Sequence, residues 1–135
     1  MFSWKHTYED FNGDERTEEF YFNLSEAELL EMNMAEYGGL DAKIRRAING
    51  NDSKMIFVMF KDIIRRSYGV KSEDGRKFVK NQAVFEDFTQ TPAYSDLFVE
   101  LMDEQKAAQF INGILPKKLK SKIENNTPAG IPKEG

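Results

Sequence analysis

A chain of 135 residues with 40% hydrophobic residues, a net charge of −4 and no cysteine is long enough to bury a core without covalent staples, and it excludes disulfide and thiol chemistry. No segment reaches the roughly 18 apolar residues of a membrane span, and the N-terminus Met1-Phe2-Ser3-Trp4-Lys5-His6 lacks the apolar run of a signal peptide. One soluble domain without a membrane partner is expected, and the missing cysteines fit a cytoplasmic protein.

The charge is unevenly spread. Residues 1–36 hold ten acidic and two basic side chains, and the remainder holds thirteen acidic and seventeen basic. Such a dipolar pattern reads either as solvated faces or as a means of meeting a basic partner or a second copy head to tail.

In chain order, residues 2–10 alternate, with Phe2, Trp4, His6 and Tyr8 on one face and Ser3, Lys5, Thr7 and Glu9 on the other, which is a strand pattern. Asn12-Gly13 and a second strand from about Arg16 to Asn23 signal a β-hairpin. Parity decides the turn. A two-residue turn pairs Trp4 with Tyr21 and leaves Phe20 and Phe22 on the face opposite Trp4. A three-residue loop, Phe11-Asn12-Gly13, pairs Phe2 with Phe22, Trp4 with Phe20, His6 with Glu18 and Tyr8 with Arg16, which gathers the aromatic side chains on one face. A type I turn with a G1 bulge at Gly13 is therefore predicted. A lone hairpin is marginal in water, so its aromatic face must rest on helices, and both strand edges are expected to stay open. An open edge is either blunted by charge, for which Glu9, Asp10, Glu18 and Glu19 are placed, or used for self-association.

Helices are expected for the rest. Ser25 and Glu28 form a capping box behind Leu24, opening a helix through Leu29, Leu30 and Met34 to a Gly38-Gly39 break. A short helix follows with Leu40, Ile44, Ala47 and Ile48 on one face, and Asn51 or Asp52 caps the next. That next stretch, Met55 to Gly69, carries Ile56, Met59, Phe60, Ile63, Ile64 and Ser67 at helical spacing and ends in a glycine stop signal. Phe57 and Val58 lie off this stripe, so the helix needs neighbours on more than one side. Ser72-Glu73-Asp74-Gly75 reads as a turn and Arg76 to Lys80 as extended. Asn81 caps a helix with Val84, Phe85 and Phe88. Thr91-Pro92 starts another with Tyr94, Leu97, Phe98 and Leu101, and Asp103 or Glu104 starts the last, with Ala107, Phe110, Ile111 and Ile114 before Pro116. The predicted fold class is α+β, mostly α: an N-terminal β-hairpin packed against a bundle of about five to six short helices, one domain over residues 1–116, with 117–135 a disordered, lysine-rich tail.

The sequence points away from catalysis, cofactors and metals. His6 is the single histidine, and its mid-strand setting beside aromatic residues and opposite Glu18 suits a packed or ion-paired ring rather than a general base. One histidine without cysteine does not make a zinc site. Glu9-Asp10 and Glu18-Glu19 lack the spacing of a calcium loop, and neither a phosphate loop nor a nucleophile elbow occurs. Arg45-Arg46, Arg65-Arg66, Arg76-Lys77-Phe78-Val79-Lys80 and the lysines from Lys117 are basic clusters, which leave a small regulatory or nucleic-acid-binding module as the alternative. The two arginine pairs, however, fall in last helical turns, where cations complement the helix dipole without any ligand, and the overall charge is acidic.

Several stretches resemble the tail assembly chaperones of long-tailed bacteriophages. They are Thr7-Tyr8-Glu9-Asp10-Phe11-Asn12-Gly13, then Thr17 through Leu29, the Gly38-Gly39-Leu40 break, and Phe60-Lys61-Asp62-Ile63-Ile64 with Tyr68-Gly69 and Asp74-Gly75-Arg76. Ala93-Tyr94-Ser95 then leads to Leu97-Phe98, and Phe110-Ile111-Asn112-Gly113-Ile114 precedes Pro116. None is a catalytic signature, and the match is one of overall pattern and order over residues 1–116.

The resemblance implies a non-enzymatic protein of the host bacterial cytoplasm, absent from the mature virion. Such a chaperone binds the helical tape measure protein, keeps it soluble, and helps tail tube protein subunits polymerise around it. In many families a longer form arises by frameshifting near the end of this domain. A partner with unprotected apolar stripes needs apolar surface in return, and adaptable methionines suit such grooves, although Met32, Met34, Met55, Met59 and Met102 equally suit core filling. The late region is where partner contact is expected, at Phe85, Phe88, Phe110, Ile111, Ile114 and Leu115.

Overall fold

Aromatic side chains at every second position of the first strand set the architecture. In the computed structural model, which describes residues 1–35, 46, 50 and 53–116, β1 (Phe2–Glu9) pairs antiparallel with β2 (Glu15–Phe22). The register is the predicted one: Phe2 faces Phe22, Trp4 faces Phe20, His6 faces Glu18 and Tyr8 faces Arg16. Gly13 donates its N–H to the Asp10 carbonyl at 3.0 Å with φ +85°, the left-handed conformation a G1 bulge requires. Trp4, Tyr8, Phe20 and Phe22 are thereby buried on one face of the hairpin.

The expectation of a lone hairpin on a helical bundle is overturned. Among the described residues the sheet has four antiparallel strands in the order β1-β2-β3-β4. Strand β3 (Tyr68–Lys71) pairs Tyr21 with Gly69 and Phe22 with Tyr68, and β4 (Phe78–Val79) pairs with β3. The edge of β2 is therefore covered at its C-terminal end, leaving β1 and β4 as the outer strands. The missed pair has a local cause. Gly69, read as a helix stop, sits inside a strand, and a Cβ there would lie 2.6 Å from the Phe78 ring, so the glycine admits Phe78 rather than ending a helix. The turn at Ser72–Gly75 does form, with Gly75 at φ +74° and its N–H bonded to the Ser72 carbonyl at 2.9 Å.

Five helices are described: α1 (Glu26–Ala35), α2 (Ser53–Ser67), α3 (Gln82–Thr89), α4 (Pro92–Glu100) and α5 (Glu104–Ile114). The capping box opens α1, with the Glu28 N–H donating to Ser25 Oγ at 3.1 Å and the Ser25 N–H to Glu28 Oε1 at 2.9 Å. Asn81 Oδ1 accepts from the Val84 N–H at 2.8 Å, and Asp103 Oδ1 from the Gln105 N–H at 2.8 Å. Thr91 caps differently. Its hydroxyl closes α3 by donating to the Phe88 carbonyl at 2.8 Å, while Pro92 begins α4. The expected helix over Leu40, Ile44, Ala47 and Ile48, the Gly38-Gly39 break, the Asn51 or Asp52 cap and the tail 117–135 lie outside the described residues.

The core centres on Phe22, which has no exposed surface. Its ring lies 5.3 Å from Phe110, 5.6 Å from Tyr68, 6.0 Å from Phe88 and 6.3 Å from Phe2, the spacing at which edge and tilted ring pairs attract. Helix α2 turns Met59, Phe60, Ile63, Ile64 and Ser67 inward. Helix α5 is joined to the end of β2 by a bond from the Leu24 N–H to the Ile114 carbonyl at 3.0 Å.

A polar clamp holds the elements on the other side of this core. Lys80 Nζ donates to the Asn23 and Arg66 carbonyls, each at 2.9 Å, and lies 2.6 Å from Glu28 Oε2. One ammonium thus ties the end of β2, the last turn of α2 and the first turn of α1. Partial burial pushes the Glu28 carboxyl up, but hydrogen bonds from Lys80 and the Ser25 N–H outweigh it and hold the carboxyl below its ordinary range.

Phe22→Ala is expected to cost about 3–5 kcal/mol, a large part of the total for a domain of this size, read as a fall in the urea midpoint. Lys80→Met strands two carbonyls and a carboxylate and should cost about 1–3 kcal/mol. A carboxyl depressed in the fold stabilises above its unfolded pKa, and that contribution disappears as pH falls through the folded value. The stability gap between Lys80→Met and the parent should therefore narrow on acidification, as measured by urea unfolding across the carboxylate range.

Candidate protein-binding surface

Helix α4 has a buried stripe at Ala93 and Leu97, and the residue following each, Tyr94 and Phe98, falls about 100° round the helix on its shoulder. The same step on α2 places Phe57 beside the inward-facing Ile56 and Phe60. These shoulders meet. Phe57 and Phe98 lie 4.9 Å apart, Phe98 and Tyr94 5.1 Å in an edge arrangement, and Tyr94 and Phe85 of α3 6.2 Å, again edge-on. A row of four aromatic rings therefore crosses three helices. Phe85, Tyr94 and Phe98 are half-buried, and Phe57 is 45% exposed. Phenylalanine does not ionise and a tyrosine hydroxyl is neutral at pH 7, all the more so at Tyr94, where burial pushes it up, so the row carries no charge. Val58, Val99 and Met102 add exposed apolar surface on the same two helices or just past them, Val99 and Met102 at 71% and 61%.

The opposite shoulder of α4 fixes the helix to the sheet. His6 Nε2 is 2.8 Å from Asp96 Oδ2, and Nδ1 is 3.8 Å from Glu100 Oε2. The imidazole stacks on Trp4 at 4.3 Å and 16°. This is the packed histidine the strand context predicts, with its acidic neighbours supplied by α4. Glu18, opposite in the register, instead accepts the Tyr8 hydroxyl. Burial, together with that bond and the Glu18 charge, raises the Tyr8 pKa to about 12, which keeps the hydroxyl a donor at neutral pH.

Of the six late residues expected to meet a partner, Phe88, Phe110 and Ile114 are fully buried in the core, while Phe85, Ile111 and Leu115 are half-buried. Phe85 alone stands in the aromatic row. Phe57, Tyr94 and Phe98, each apolar and one step off a helical stripe, complete the row with it. The methionines divide. Met32 and Met59 fill the core, whereas Met55 and Met102 are exposed.

Three of the basic side chains singled out in the sequence have acidic partners within the fold, while Arg76 and Lys77 are exposed. Arg65 and Arg66 pair with Asp62 at 2.8 and 2.9 Å, and Lys80 is the clamp described above. Among the described residues there is no group of three or more acidic or histidine side chains able to hold a metal ion, and no helix is long and apolar enough to cross a membrane.

A family model described as phage tail assembly chaperone matches residues 1–134. No curated protein and no solved structure matches the chain. With a match spanning all but the last residue, the chain belongs to the phage tail assembly chaperone family.

Proposed function

We propose that this protein holds the tape measure protein of a long-tailed phage in soluble form in the host cytoplasm, helps tail tube subunits assemble around it, and is absent from the finished virion. The observation that carries this reading is the row Phe85, Tyr94, Phe98 and Phe57, half-open to solvent across three helices. An amphipathic helix outside its final assembly exposes a stripe of apolar residues at i, i+3, i+4 and i+7 spacing. A row of rings offers such a stripe a place to bury without demanding one sequence, because aromatic faces accept many aliphatic partners. Holding of this kind is reversible. The row is narrow, and the helix can pass from it to the closing tube.

Among the late residues, Phe85 contacts the client directly in this reading. Ile111 and Leu115 supply further apolar surface, and Phe88, Phe110 and Ile114 form the packed floor that keeps the surface rigid. The role is a binding role, with no bond made or broken.

Co-expression with a tape measure fragment tests it. The double variant Phe57→Ser, Phe98→Ser is expected to shift the fragment into the pellet, since losing one aromatic anchor typically costs about 2 kcal/mol, roughly thirtyfold in affinity. A folded double variant that keeps the fragment as soluble as the parent does would remove the row from the mechanism.

A further inference from the structure

The hairpin tip carries a second apolar feature, away from the aromatic row. Phe11 occupies the first central position of the β1–β2 turn and is 84% exposed; among the described residues no large apolar side chain is more open to solvent. Nothing in the fold requires an aromatic ring there, because the special backbone geometry of this turn falls on Gly13. The loop beneath the ring is nevertheless tightly held. Asp10 Oδ1 accepts from the Asn12 and Asp14 N–H groups at 2.9 and 3.0 Å, and Asp10 Oδ2 pairs with Arg16 Nε at 2.6 Å. A ring presented on a fixed loop loses little freedom on docking.

The surroundings define what it would dock against. Glu9, Asp10, Asp14 and Glu15 flank the ring, and the local cation, Arg16, is committed to Asp10. Behind the ring lies a hollow of about 350 Å³, lined among others by Tyr8, Asp10, Arg16, Glu18 and Pro92. An isolated ring standing clear of its own fold needs a concavity, which a folded subunit offers and a helical rod does not. The acidic flank selects a basic border.

We propose that the hairpin tip is a docking knob for a folded protein partner whose surface offers an apolar seat for Phe11 bordered by lysine or arginine side chains. This rests on the assembly-chaperone reading for its choice of partner: the folded tail tube subunit at the tip, with the helical tape measure protein left to the aromatic row.

The test titrates the full-length protein with purified tail tube subunit and, separately, scores the solubility of a co-expressed tape measure fragment. The parent should bind the subunit with an affinity that falls as salt rises. Phe11→Ser should lose about tenfold or more, the loss of a central anchor, while Phe11→Leu stays close to the parent. Charge reversal at Glu9→Lys and Glu15→Lys should weaken binding by a similar factor, and thermal melts should show each variant folded. All of them should keep the fragment soluble. Subunit binding by Phe11→Ser equal to the parent's, binding indifferent to salt, or a parent that holds the fragment yet ignores the subunit would each overturn the proposal. A parent that fails to hold the fragment would instead defeat the chaperone reading, and the subunit titration would still decide the role of the tip.

Discussion

Phe22 is the last residue of β2, and the layers of the protein converge on its ring. It receives Phe2 from the neighbouring strand, Tyr68 from the strand that follows α2, Phe88 from α3 and Phe110 from α5. Interlocking rings of this kind are directional as well as apolar, so they fix the angles between elements more tightly than aliphatic contact alone would. Strand β3 is placed beside β2 by the backbone pair at Phe22 and Tyr68, and the stacking of Tyr68 on Phe88 at 4.3 Å draws α3 over that join. The aromatic row on the far side of α4 inherits its geometry from this arrangement, since Tyr94 also touches Phe88 at 5.4 Å.

Two polar devices complete the frame where apolar packing ends. His6 pins one shoulder of α4 to β1, and Lys80 gathers three chain segments at one ammonium. Among the described residues no buried side-chain nitrogen or oxygen lacks a hydrogen-bond partner. That matters because a buried, unpaired polar atom in so small a core would offset much of what the rings contribute.

The readable and unreadable parts of the fold separate along physical lines. The hairpin register was legible because side-chain parity and loop length determine each other: only a three-residue loop puts Trp4 and Phe20 on one face. Helix caps were legible because Ser25, Asn81 and Asp103 act within four residues of themselves. The second hairpin was legible only in part: its turn at Ser72–Gly75 and the extended Arg76–Lys80 could be read, whereas β3 and its pairing could not. Helix α2 passes into β3 between Ser67 and Tyr68 without a turn, and β4 is two residues long, so neither strand has enough length to show a period. What makes Tyr68 and Gly69 extended is distant, the open edge of β2. The candidate surface was half legible for a related reason. Phe110 and Ile114 have the stripe spacing of a helix face, and a stripe on a short helix is first of all core. Phe57 and Phe98 stand on shoulders, whose exposure depends on which helix lies alongside.

The bond between His6 and Asp96 joins residues 90 positions apart, and the seat of Phe22 is completed by Phe110, further on still. During vectorial synthesis at about 5–20 residues per second, the hairpin therefore leaves the ribosome roughly 5–20 seconds before the helices that cover its aromatic face. For that interval the nascent chain of this tail assembly chaperone displays an uncovered apolar ribbon of its own.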